Sequence, residues 1–263
     1  SPEASIDIRA GDLVDYRFFQ SNSVKFAVFL LLAIFVVVGV YAAFRYARPT
    51  KMSASAFSNI SVKKLTSDGD IAIVRVTPDG KFIAMVERRN GLSSLLLRQV
   101  DNSTSIEVVP AAERRIAGLA FAPDGKDIFY TSYEEKPAPG QPQVGKLFKV
   151  STLGGPPTLI ASDVDSSIAI SPDGHNFAFV RNYPADGHSS VIIRSFGDET
   201  ERELASESLR YAFSTTGLSW SPDGKSIAAV RQMDDGRMAA VSIGVDDGKQ
   251  TVLTSGIWQW IGF

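Results

Sequence analysis

ISPDGHNFAFV, residues 170–180, is one of four versions of a phrase that recurs through this chain. The others are VTPDGKFIAMV at 76–86, FAPDGKDIFYT at 121–131 and WSPDGKSIAAV at 220–230. Their Pro-Asp-Gly cores begin at Pro78, Pro123, Pro172 and Pro222, spacings of 45, 49 and 50 residues. In each, Pro presets φ for a tight turn and Gly supplies the positive φ that closes it. Apolar runs on both sides make a strand–turn–strand unit, and self-similarity at this period marks a repeat architecture.

Working outward, the second strand of each repeat is predicted at 82–87, 127–132, 176–181 and 226–231. A third strand follows at 95–100, 146–150, 191–196 and 238–245, and a more polar fourth at 106–109, 158–161, 201–205 and 251–253. Strand two alternates small and aromatic residues, as in Phe177-Ala178-Phe179-Val180. Small positions of this kind let neighbouring units approach closely. Four strands per repeat is the count of a β-propeller blade. The predicted fold class is all-β: a β-propeller with four-stranded antiparallel blades, preceded by one transmembrane α-helix. About four blades are present, and GIWQWIGF at 256–263 reads as the first strand of a fifth. An arc of this length leaves sheet edges open, so an incomplete propeller within a longer protein is expected.

Ahead of the repeats, Phe26–Phe44 (FAVFLLLAIFVVVGVYAAF) runs 19 residues without a charge. A bilayer core of ~30 Å needs about 20 such residues in a helix. Lys25 closes one end and Arg45 with Arg48 the other, while Tyr41 and Tyr46 take interfacial positions. The expected organisation is a juxtamembrane tail at 1–24, a transmembrane helix at 25–47, a linker at 48–59 and the propeller at 60–263. Arg9, Arg17 and Lys25 before the span balance Arg45, Arg48 and Lys51 after it. The positive-inside rule therefore leaves the orientation close to a tie. Gly39 has no second small residue at GxxxG spacing, so the helix offers no obvious dimer face.

Of the 263 residues, 44% are apolar, ample for a core. The net charge of −2 supplies no basic field for a nucleic-acid partner. The absence of cysteine removes disulfides, thiolate nucleophiles and Cys-type zinc sites. His175 and His188 are the only histidines, too few for a His-based metal site or triad.

The aspartates of the repeated turn, Asp79, Asp124, Asp173 and Asp223, lack the D-x-[DN]-x-[DN]-G loop of a calcium site and read as turn builders. Asp163-Val164-Asp165 and Asp234-Asp235 are acidic pairs without a His or Lys framework, expected in solvated loops. Ser93 follows Gly91-Leu92, but Leu95 breaks the G-x-S-x-G elbow of a serine hydrolase. The pairs Lys63-Lys64, Arg88-Arg89 and Arg114-Arg115 read as rim or surface charges rather than a phosphate site. Trp258 and Trp260 alternate along a strand and read as packing. EEKPAPGQPQ, at 134–143, is read as an exposed loop of the second repeat. No catalytic, cofactor-binding or metal residue is expected in this chain.

The core [SAT]-P-D-G-[KH]-x-[IF]-[AF] resembles the propeller repeat of TolB and its relatives. VKKLTS at 62–67, SLLLRQV at 94–100, VVPAAE at 108–113 and GLAF at 118–121 further resemble propellers fused behind a single span in bacterial signalling proteins. The resemblance covers roughly residues 60–263. In those proteins a serine/threonine kinase or winged-helix domain precedes the span, with the effector in the cytoplasm and the propeller outside. The resemblance thus implies a membrane-anchored sensor or protein-interaction domain in the bacterial inner membrane, its propeller periplasmic. It would bind a protein or peptide on the propeller face, meet the lipid bilayer through Phe26–Phe44, and use no nucleic acid in this segment. The alternatives are the propeller of a membrane-tethered peptidase similar to prolyl oligopeptidase or dipeptidyl peptidase IV, and a TolB-like envelope scaffold.

Overall fold

The computed structural model describes residues 22–46, 69–102, 104–136 and 143–254. Chain contacts divide the protein into two compact units, Ser1–Lys64 and Leu65–Phe263. Lys63, Lys64, Trp258, Trp260 and the expected fifth-repeat strand lie outside the described residues, as do 137–142 of the predicted loop.

In the first unit, α1 spans Asn22–Tyr46, 25 residues with Lys25 and Arg45 near the ends and no charge between them. Its described side chains are exposed, Phe26 at 78% and Phe35 at 81%. Those side chains are described without a break only over 29–39. Among the described residues no helix is long and apolar enough to cross a membrane. The expected span at Phe26–Phe44 is therefore corrected, as structure, to a helix bearing exposed apolar side chains.

The second unit is all-β, and every strand pair in it is antiparallel. A seven-stranded sheet holds β1 (Ile71–Val76), β2 (Phe82–Arg89), β3 (Leu92–Gln99), β4 (Ser105–Phe121), β5 (Asp127–Glu134), β6 (Lys146–Ser151) and β7 (Thr158–Ser162) in sequence order. A four-stranded sheet follows from β8 (Ala169–Ile170), β9 (Asn176–Tyr183), β10 (His188–Ser195) and β11 (Glu201–Ser208). The last contains β12 (Ser219–Trp220), β13 (Ser226–Gln232), β14 (Met238–Gly244) and β15 (Gln250–Val252).

The sequence predicts separate strands at 106–109 and before Pro123, but the structure joins them in the 17-residue β4. Its first half pairs with β3 and its second half with β5. The seven-stranded sheet is thus two four-stranded units sharing one long strand. Pro110, which has no N–H to donate, falls where the β3–β4 register shifts, so the strand passes through it without breaking the ladder.

Period-2 alternation sorts side chains into layers between units. On β9, Phe177 and Phe179 join Phe129 and Leu147 in a core shared with the second unit. Ala178 and Val180 on the same strand point the other way, into a core with Ile227, Ala229 and Val241 of the fourth. Tyr130 and Ile128 of β5 likewise meet Ala84, Val86 and Leu95 of β2 and β3. Phe177 and Phe179 are fully buried, each worth about 2–3 kcal/mol of transfer free energy.

The four repeated turns share one hydrogen-bond plan. Gly174 N donates to Ser171 O at 2.9 Å, and its φ of 74° is the left-handed value the turn requires. The Asp173 carboxylate accepts from the Ser171 hydroxyl (2.5 Å) and from His175 N (3.0 Å). Thr77 and Ser221 serve Asp79 and Asp223 in the same way, both at 2.6 Å. The turn of the second repeat has Ala122 at this position, and Asp124 keeps its bond from Lys126 N at 3.1 Å.

Candidate binding cleft

At the strand ends opposite the repeated turns, the 163–168 segment runs between β7 and β8. Asp163 enters it with φ 61°. Val164, fully buried, plugs the core, and its N–H donates to Gly145 O at 3.1 Å. Asp165 N donates to Val180 O (3.0 Å), and the Ser166 hydroxyl accepts from Val180 N (2.8 Å). Thr131 of β5 donates its hydroxyl to Ser166 O at 2.8 Å. Gly118 lets β4 come close: a Cβ there would sit 2.5 Å from the Ser167 Cα. The segment is thus held to β4, β5 and β9 by the close approach at Gly118, by hydrogen bonds of its backbone and the Ser166 hydroxyl, and by the Asp163–Arg181 ion pair.

Beside it opens a cleft of about 560 Å³, whose lining includes Arg115, Tyr133, Asp163, Asp165, Asn182 and Thr216. The Arg115 guanidinium lies 4.5 Å from the centre of the Tyr133 ring, within cation–π reach. Tyr133 donates to Val164 O at 3.3 Å. Burial, with the nearby Asp165 carboxylate, pushes its hydroxyl up to about 12, so it stays a neutral donor at physiological pH. Asp165 accepts from Asn182 N at 2.8 Å. Its carboxyl is nonetheless raised above the ordinary value, first by burial and further by Asp163, against the opposing pull of that N–H.

Asp163 is placed differently. Arg181 Nε lies 3.2 Å from its carboxylate and donates to its backbone oxygen at 2.8 Å. The same guanidinium grips Glu201 through two bonds of 2.8 and 3.2 Å, and Arg194 shares that carboxylate at 3.1 Å. Hydrogen bonds from Arg181 hold Glu201 below the usual carboxylate range. The cleft therefore offers a compensated carboxylate, a raised one, a guanidinium on an aromatic face, a phenol and an amide. That set suits binding of a polar ligand. Among the described residues no group of three metal-ligating side chains is present.

The expectation of solvated loops thus needs correction at 163–165, where Val164 is buried and Asp165 half-buried in a cleft wall. Arg115, read as a rim or surface charge, lines the same cleft. Arg88 pairs with Glu135 (3.5 Å), Arg89 with Asp70 (2.6 Å), and Arg114 donates to Pro110 O (2.8 Å). Asp235 pairs with Arg237, and Asp234 accepts from Tyr211. Ser93 is buried within β3, and His188 stacks on Tyr183 at 4.5 Å. His175 lies at the opposite end of the strands, on the rim of a second cleft of about 430 Å³ floored by Phe129, Ile160, Ile170 and Phe196. Sequence reasoning missed Tyr133 and Asn182, which carry no motif. The available signal was that 163–165 interrupts the repeat where a strand-to-strand connection was due.

No family model matches the chain, and no curated protein matches it. Solved structures do. TolB from Acinetobacter baumannii superposes with a TM-score of 0.58 at 21% identity, over 72% of this chain and 45% of that one. A TolB assigned to Agrobacterium tumefaciens gives 0.55 at 20% identity, over 71% and 62%. The fold is that of a TolB-like β-propeller. A puromycin hydrolase matches at 0.54 and 15% identity, over 74% of this chain but 30% of its own. The chain thus spans 45% and 62% of the two TolB structures and less than a third of the hydrolase. In propeller terms, the four-stranded units are blades, and the cleft lies where connections from the second, third and fourth meet.

Proposed function

We propose that this chain is the ligand-recognition part of a bacterial signalling protein: a propeller that binds a protein or peptide, tethered to the inner membrane through the Phe26–Phe44 stretch of its sequence and displayed on the periplasmic side. The effector would be a kinase or winged-helix domain on the cytoplasmic side. The observation that carries the binding role is the polar cleft of about 560 Å³ at the blade connections. Propeller connections vary in sequence while the blades hold them rigidly, which suits a recognition surface. The tether is supported by the charge-free Phe26–Phe44 stretch.

Site-specific photocrosslinking in intact cells tests this reading. A crosslinking amino acid at Thr215, on the cleft, is expected to trap one defined protein. The same group at Leu153, an exposed turn residue of the second blade, is expected to trap none. Equal products from both positions, or none from the cleft, would overturn the binding role. Release of the chain from membranes by alkaline carbonate would overturn the tether.

A second reading is supported by the likeness to the puromycin hydrolase propeller: a blade array fronting a serine hydrolase domain. Terminal peptide mapping of the native polypeptide separates the two. Downstream G-x-S-x-G sequence favours the hydrolase, whereas upstream kinase or winged-helix sequence favours signalling.

A further inference from the structure

Asp165 stands apart from the other charged groups of the cleft. Asp163 has Arg181 at 3.2 Å, Glu201 has Arg181 and Arg194, and Arg115 lies on the Tyr133 face. Asp165 accepts from Asn182 N–H at 2.8 Å, is helped by a side-chain hydrogen bond from the same residue, and among the described residues makes no ion pair within 4 Å. Arg181 attracts it, but less strongly than burial, the Asn182 hydrogen bonds and Asp163 act on it. A half-buried carboxylate without a counter-ion, opening on a cavity, is an electrostatic vacancy that a cation fills with gain. The Tyr133 hydroxyl, spent on Val164 O, still has lone pairs to accept a second donor. The arrangement matches a primary ammonium, which brings three donors and one positive charge in a small volume.

We infer that the cleft binds a primary ammonium group of a peptide ligand, with Asp165 as its counter-ion and Tyr133 beside it. The inference rests on the proposed peptide-binding role and names the chemistry of what is bound. The ammonium has two sources, a free peptide N-terminus or a lysine side chain. Arg115 and the exposed edge of Asp163 frame the pocket, so a bulkier guanidinium would meet Arg115 at closer range. The charged groups acting on Asp165 are Asp163 and Arg181, and Arg115 and neutral Tyr133 line the same cleft. Affinity should fall in acid as Asp165 takes up its proton, while Arg115 and Arg181 keep their charge.

The test titrates the ¹⁵N-labelled full chain in detergent micelles and follows the Asn182 amide. Three probes are used: Ala-Ala-Ala-amide with a free N-terminus, its N-acetylated form, and N-acetyl-Ala-Lys-Ala-amide. At least one ammonium probe should bind about tenfold or more tightly than the acetylated neutral peptide. Whichever ammonium probe binds names the source. Asp165→Asn, which keeps an acceptor for Asn182 N–H, should erase that preference, and Tyr133→Phe should weaken it. Equal behaviour of all three probes, no shift with any, or full retention in Asp165→Asn would overturn the inference. If crosslinking from Thr215 still traps a partner in those cases, the binding role stands and only the ammonium chemistry falls.

Discussion

The aspartates of the repeated turns and those of the 163–165 segment sit at opposite ends of the same strands and meet opposite treatment. In the turns the carboxylates are exposed and bonded. A hydroxyl from Thr77, Ser171 or Ser221 lowers Asp79, Asp173 and Asp223 first, and the Lys126 N–H lowers Asp124. At the other end burial raises Asp165 despite its N–H partner. The repeated aspartates close turns, and their regular spacing is the mark of that structural work. Two of them, Asp124 and Asp173, also line the smaller cleft, whereas the non-repeated Asp163 and Asp165 line the larger one. The difference teaches that periodicity in this chain locates the scaffold, and departures from periodicity locate the cleft.

Substitutions at the two ends sharpen that contrast. The largest effect is expected at Gly118→Val, which forces side-chain atoms onto the Ser167 backbone that carries the cleft segment. A loss of about 3 kcal/mol is expected in urea unfolding. A loss below about 0.5 kcal/mol would mean that the segment yields easily. At the turn end, Ser171→Ala removes a hydroxyl that donates to Asp173 and accepts from Asn176 N at 2.9 Å. It should cost about 1–2 kcal/mol in the same measurement.

Asp165→Asn should act in the opposite direction. A carboxyl raised in the folded state is charged more readily in the unfolded chain, so folding loses stability as pH rises through the folded value. The Asn variant should therefore be the more stable at pH 7, by less than about 1 kcal/mol given the partial exposure. The gap should close in acid below the ordinary carboxylate range. A variant less stable than the parent at pH 7 would show that the Asp165 charge is already compensated. The smallest effect is expected from Ala122→Ser, which supplies the hydroxyl that the second turn lacks. A gain of about 0.5 kcal/mol in thermal unfolding would confirm that the shared hydrogen-bond plan stabilises the turns.

Much of the scaffold was legible in the residues. Pro-Asp-Gly at near-constant spacing requires a tight turn, and alternating apolar runs on either side require half-buried strands. The fusion of 105–121 into one strand was not legible, because Pro110 reads locally as a strand breaker. Only the register shift against β3 shows how the ladder passes it. The cleft was less legible still. Arg115, Tyr133, Asp165 and Asn182 lie on β4, β5, the 163–168 segment and β9, and no local pattern links them.

What the sequence by itself determined is the repeat: turn chemistry and strand alternation act between near neighbours, so a single stretch of chain contains all their causes. The tertiary structure alone decided which charges are compensated. Burial and ion pairing depend on residues brought together from four separate elements, so Asp163 acquires Arg181 while Asp165, two residues along, faces a cavity with no ion-pair partner among the described residues.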